Sequence, residues 1–261
     1  MIAELKGKIS SNGSNLSERL EDKLTGDFFG ALRYVPFNKV MKNILLGTKF
    51  VNQNSSYVVQ CLDGLDIEYW DNSIQFWPYN SLGELDVLIE LEEIVIGIEV
   101  KLYSGLSSDD SIDNSSNTFM LESNHQLARE SRILKKKIEG TNKAALLIFI
   151  APEYVCYPIC KAADNRNIID NDVILGYLSW EEILVTLEKI IQIKGLNNYE
   201  ELMVRDLMAL LKRKGLERFK SFNFICNKVS REWYQFNYQK SLDIDFSFNY
   251  DIKREGYYEF R

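Results

Sequence analysis

Two acids and a lysine within residues 83–102, GELDVLIELEEIVIGIEVKL, are the side chains whose types and spacing could do chemistry. Two short runs rich in Val, Ile and Leu, 85–91 and 94–101, flank the acidic pair Glu92 and Glu93, which predicts a hairpin. Along the second run Ile94, Ile96, Ile98 and Val100 share one face, while Val95, Gly97, Glu99 and Lys101 share the other. Glu99 and Lys101 therefore point the same way. A turn with an even number of residues sets Asp86 opposite Glu99, with facing Cβ atoms about 5 Å apart. Carboxylates at that range repel unless a proton or cation lies between them, so with a lysine alongside the trio suits a divalent metal held by oxygen ligands. The bland alternative is an edge hairpin whose polar face sees water. There Lys101 would bridge Glu84 or Glu99, a contact worth about 0–1 kcal/mol.

Two helices must position this hairpin. The first opens near Asn15, an N-cap candidate with Glu18 three residues on, and its buried stripe is Leu16, Leu20, Leu24 and Phe28. Glu21 falls beside Phe28 at the edge of that stripe, a costly place for an acid without a partner. It makes either a salt bridge or a contact to the metal or its surrounding shell. The second helix spans 124–139, NHQLARESRILKKKIE, with Leu127, Leu134 and Ile138 inward. Gln126 borders that stripe where it can face the hairpin, and Arg129 and Arg132 can reach a phosphate.

Elsewhere, 33–36 reads as extended, 39–46 as a short helix, and 57–61 and 67–70 as strands joined at Asp63 and Gly64. Residues 144–151 and 173–178 are buried strands, and 180–193 and 200–214 are helices, the second ending at Gly215. The polar run 104–119 is a solvated loop leaving from beside the hairpin. Near the end, 243–253 alternates strictly and joins 233–238 in a small aromatic sheet.

Composition narrows the function classes. With 261 residues, 46% hydrophobic and 26% charged, the chain can bury one large core with an appended subdomain. The apolar run 144–151 is too short to cross a bilayer and no secretory signal opens the chain, so a soluble, cytoplasmic protein without membrane contact is expected. Four Cys with no CxxC pair and a single His argue against structural zinc, His-rich nuclease motifs and a Ser/Cys–His hydrolase. A net charge of −7 argues weakly against nucleic acid. The acids, however, concentrate in 84–93 and 109–113, while basic clusters stand at 129–137 and 212–220.

Helix, hairpin with Asp86 and Glu99-x-Lys101, helix, strand: over residues 16–151 this order resembles the PD-(D/E)XK nuclease superfamily. The resemblance implies an α/β, restriction-endonuclease-like core (αβββαβ, a mixed sheet flanked by helices). That core would span 16–178, after a flexible lead-in at 1–15 and before a helical and small-β extension at 179–261 packed on it. It also implies that Asp86, Glu99 and the Val100 carbonyl bind Mg²⁺, with Mn²⁺ as substitute. Lys101 would position or help deprotonate the attacking water, Glu21 would complete or orient the metal shell, and Gln126 would orient water, Lys101 or DNA. Two positions depart from the family pattern. Leu85 replaces the proline before the aspartate, and Glu130 stands where some relatives carry a tyrosine. The stretches YLSWEEIL and DLMALLKRKGLERF resemble a bacterial subgroup associated with phage defence and genomic islands. The expected activity is metal-dependent DNA cleavage, by a homodimer or with a partner protein subunit. The alternative is a catalytically silent nuclease-like module that binds DNA or a partner protein and that Mg²⁺ leaves unstabilised.

Overall fold

The run Ala144–Ala151, AALLIFIA, carries no polar side chain and is buried from end to end, as a central strand covered on both faces must be. Around it the computed structural model, which describes residues 16–51, 55–109 and 123–218, builds an α/β domain. Its elements run α1 (Leu16–Leu32), α2 (Met41–Leu46), β1 (Lys49–Phe50), α3 (Ser56–Gly64), β2 (Ile74–Phe76), β3 (Tyr79–Asn80), β4 (Gly83–Glu84) and β5 (Val87–Glu90). Then follow β6 (Ile94–Val100), α4 (Gln126–Ile138), β7 (Ala144–Ala151), α5 (Glu153–Asn165), β8 (Val173–Ser179), α6 (Trp180–Ile193) and α7 (Asn198–Arg213). Six strands form one mixed sheet in the order β1-β8-β7-β6-β5-β2, and β3 with β4 makes a separate ribbon. Strands β6, β7 and β8 are parallel, while β1, β2 and β5 join antiparallel.

The alternation along β6 sorts its side chains between two cores. Ile94, Ile96, Ile98 and Val100 share one core with Leu24 and Phe28 of α1 and with Trp180 of α6. On the other face Val95 joins Leu85 and Leu88, Leu127 and Leu134 of α4, and Cys156 and Cys160 of α5. The hairpin register runs from Val87 opposite Ile98 to Glu90 opposite Val95, so the next facing pair outward is Asp86 and Glu99, as the alternation predicts. Gly97 lets α4 come close: a Cβ there would lie 3.0 and 3.1 Å from the Leu134 methyls and 3.2 Å from Leu85 Cδ2. Gly97→Val should therefore destabilise the fold by about 1–3 kcal/mol, read as a lower urea midpoint with an unchanged slope.

Several expectations need correction. Residues 57–61 belong to helix α3, because Val58, Cys61 and Leu62 are its buried positions, a helical spacing. Residues 67–70 form no strand; Trp70 is instead buried with its indole N–H donating to the Val35 carbonyl at 3.0 Å. The strand that precedes the hairpin and pairs with its first arm is β2. Residues 33–36 turn rather than extend, closed by Val35 N–H to the Leu32 carbonyl at 2.9 Å. Leu20 is 39% exposed, so the inward stripe of α1 rests on Leu24, Phe28 and Phe29. Asn15, the lead-in, the loop from 110 to 122 and the aromatic runs 233–238 and 243–253 lie outside the described residues. Among the described residues, no helix is long and apolar enough to cross a membrane.

Candidate active site

At the end of β6 the chain leaves the sheet through Glu99, Val100 and Lys101. In a parallel ladder Lys101 N–H bonds the Ile150 carbonyl (2.7 Å), and the Lys101 carbonyl should meet the N–H of residue 152. That residue is proline, which has none. The Trp180 indole N–H takes its place at 3.0 Å and ties the strand end to α6. Trp180 also packs edge-on against Phe28, ring centroids 5.2 Å apart, which fixes α1 beside the same strand end.

Asp86 enters from the neighbouring strand. Its Oδ2 accepts from Val100 N–H at 2.8 Å and its Oδ1 from the Trp77 indole at 3.2 Å. Val100 thus uses its N–H on Asp86, and its carbonyl is the atom it can offer a ligand. Trp77 has φ +47°, unusual for a bulky residue and worth about 1–3 kcal/mol of strain. Its backbone N–H and indole both bond Asp86, which holds it there. Sequence reasoning passed over Trp77, because nothing in its spacing marks a strand-ending left-handed turn.

Lys101 is 7% exposed and Glu99 is 1% exposed. The Lys101 Nζ lies 2.7 Å from Glu99 Oε1 and 3.1 Å from Glu21 Oε1. Glu21 Oε2 accepts from Leu102 N–H at 2.8 Å and from the Ser104 hydroxyl at 2.7 Å. Both Glu21 oxygens are therefore engaged, and α1 clamps the chain just past β6. Gln126, in the first turn of α4, donates Nε2 to Glu99 Oε1 at 2.5 Å and accepts at Oε1 from Ser107 N–H at 2.9 Å. Asp86, Glu99, Val100, Lys101, Glu21 and Gln126 thus stand together. The lysine bridges Glu99 and Glu21, not Glu84.

The basic residues of α4 have partners within the chain. Arg129 donates to the Leu82 carbonyl at 2.7 Å and to the Ser108 hydroxyl at 3.0 Å, and Arg132 donates to the Ser123 carbonyl at 2.8 Å. Lys135 pairs with Asp172, and Lys137 with Glu90 at 2.7 Å. These donors hold loops and neighbouring acids because a guanidinium with five N–H groups readily bridges backbone carbonyls.

One more acid belongs to the cluster. Glu130, one turn beyond Gln126, is 2% exposed. Its carboxyl abuts that of Glu99, a contact that a shared proton or a cation must relieve, and no donor among the described residues is aligned on either Glu130 oxygen. The signal was present in the sequence: Glu130 stands three residues after Leu127 and four before Leu134, on the inward stripe of α4.

Burial raises the pKa of Asp86 well above the carboxylate range, and Glu99 raises it further, although part of Asp86 reaches the surface. Burial likewise raises Glu99, with Glu130 next in effect. Burial pushes Glu130 up to about 8, and Asp86 adds to it. For Lys101, burial would lower the ammonium's pKa, but Glu99 and Glu21 outweigh it and raise the value. Lys101 is therefore a fixed cation at neutral pH. Fully ionised, the four carboxyl groups would outnumber the one ammonium, and the raised values of Asp86, Glu99 and Glu130 show that protons meet part of this excess. As they stand, no three His, Cys, Asp or Glu side chains among the described residues are gathered to hold a metal, and the Lys101 ammonium occupies the space between Glu99 and Glu21.

No family model, curated protein or solved structure gives a significant match to this chain. The architecture is that of an α/β protein with a mixed six-stranded sheet flanked by helices, carrying a buried lysine–carboxylate cluster at the end of its central hairpin.

Proposed function

We propose that this chain is a Mg²⁺-dependent deoxyribonuclease with a restriction-endonuclease-like core of the PD-(D/E)XK type. The observation that carries the reading is the buried Lys101 ammonium between Glu99 and Glu21, beside an aspartate that faces Glu99 across the hairpin. As a stabilising device this is poor, because desolvating so many charges costs more than their pairing returns. Perturbed carboxyls clustered where a strand ends suit a reaction centre better. The antiparallel hairpin followed by helix α4 and parallel strand β7 is also the order the resemblance requires.

The residues fit a hard divalent cation. Donors are oxygens, the carboxyls become negative as they ionise, and Glu130 has two buried oxygens on which no donor among the described residues is aligned. Asp86, Glu99 and the Val100 carbonyl would hold the ion. Bound there, Mg²⁺ would lower the pKa of a coordinated water and polarise a phosphoryl oxygen. Lys101, as an ammonium, donates to the attacking water or to the charge growing on the phosphate. Glu21 stands behind Lys101 and fixes its direction. Gln126 locks the Glu99 carboxylate in one rotamer, while the Val100 N–H and the Trp77 indole do the same for Asp86. A homodimer or a partner subunit would supply the second cut of a duplex.

Incubating the purified protein with supercoiled and linear DNA plus Mg²⁺ or Mn²⁺ tests this. Nicking or linearisation is expected, with none from Glu99→Gln or Lys101→Ala. Unchanged cleavage by either variant would sink the mechanism.

A further inference from the structure

We infer that Glu130 is a further acidic ligand of the divalent cation, joining Asp86 and Glu99 from the helix side; this rests on reading the cluster as a cation centre. Helix α4 brings Gln126 and Glu130 to the same side, one turn apart. The Gln126 amide donates to Glu99, so this side of α4 looks onto the end of β6. Gly97 has no side chain, and that allows the close approach: Leu134 reaches within 3.0 Å of where a Cβ would stand.

The hydrogen-bond accounts of the four acids differ in one respect. Asp86 has the Val100 N–H and the Trp77 indole. Glu99 has Lys101 and Gln126, both on Oε1, so that Oε2 takes part in neither contact. Glu21 has Lys101, Leu102 N–H and the Ser104 hydroxyl. Glu130 alone is fully buried with both oxygens unbonded, against the Glu99 carboxyl. A buried polar group left unsatisfied costs about 1–3 kcal/mol, and more when charged. Among the described residues no donor is aligned on either oxygen, although the Gln126 amide lies nearby, and a cation shared with Glu99 and Asp86 would remove the penalty for all three. Drawn together on one ion, three carboxylates and a peptide carbonyl would make an all-oxygen set, which takes Mg²⁺ or Mn²⁺ over softer metals. The position differs from the hairpin set because this ligand comes from α4, at the place where the resemblance leads one to expect a tyrosine.

The test is thermal unfolding of the full chain at neutral pH, titrated with MnCl₂ alone, for the native sequence, Glu130→Gln and Glu130→Asp. Mn²⁺ should raise the native midpoint saturably, and Glu130→Gln should need about tenfold more Mn²⁺ or higher for half the shift. Glu130→Asp should fall between them, which keeps the test usable if Glu130→Gln folds poorly. Half-saturation at the native concentration in both variants would overturn the assignment and leave Glu130 sharing only a proton with Glu99. Absence of any Mn²⁺ response in the native chain would instead overturn the cation centre itself.

Discussion

Lys101→Met should lower stability by about 3–5 kcal/mol near neutral pH, the cost of breaking a buried ion pair from one side. The loss of packing is small, because Met fills most of the volume of the lysine stem. What remains is a set of carboxyls with no ammonium: Glu99 and Glu21 lose contacts of 2.7 and 3.1 Å, and Asp86 and Glu130 lose the charge that restrains their repulsion. The pH dependence distinguishes charge from packing. Asp86, Glu99 and Glu130 all have folded-state pKa values above their ordinary ones, so over the intervening window the folded chain binds more protons than the unfolded chain. Stability then falls as pH rises. Acid neutralises the carboxyls that Lys101 offsets, so the deficit should shrink as pH falls from about 8 towards about 5. Urea midpoints at the two ends of that range check it. An equal deficit at both would mean that packing sets the cost.

Glu130→Gln should act in the opposite direction. With divalent ions chelated by EDTA, the variant is expected to be more stable than the native chain at alkaline pH. Glu130 has a folded-state value of about 8 against an ordinary 4.5, with burial as the main cause. The stability associated with its protonated form is fully present below its ordinary value and is lost as pH rises through about 8. Glutamine does not titrate, so the advantage of the variant should open across that window and reach a few kcal/mol above it. Melting temperatures of both proteins across this pH range measure the gap. A variant that melts below the native chain at alkaline pH would show that the Glu130 carboxyl has a hydrogen-bonding role instead.

The parts of the fold written in strict periodicity were legible. The alternation through Ile94–Val100 sets both faces of β6 and the Asp86–Glu99 register, and the unbroken apolar run of β7 locates the sheet centre. Glu21 was visible as an acid beside an apolar stripe, but its partners, Lys101 and the Leu102 N–H, become apparent only when α1 meets the end of β6. Helix α3 was hidden because Tyr57, Val58 and Val59 favour strands while Val58, Cys61 and Leu62 are spaced for a helix, and packing on the sheet decides between them. Helix α5 carries Pro158 in its interior, which masks it as a break. The sequence shows that the arginines of α4 could reach a phosphate, but their contacts to the Leu82 and Ser123 carbonyls depend on loops whose course no local pattern gives. Glu130 needed the register of Gln126 on Glu99 before its inward position acquired a chemical meaning.

The central claim is that Asp86, Glu99 and Lys101 form a cation-dependent phosphodiester-cleaving centre. Its most direct measurement is the single-turnover cleavage rate of an end-labelled DNA duplex by the native chain and by Asp86→Asn, each in Mg²⁺ and in EDTA. Cleavage is expected from the native chain in Mg²⁺ only, with Asp86→Asn about a hundredfold slower or worse. Equal rates in Mg²⁺ and EDTA, or an undiminished rate in Asp86→Asn, would contradict the account.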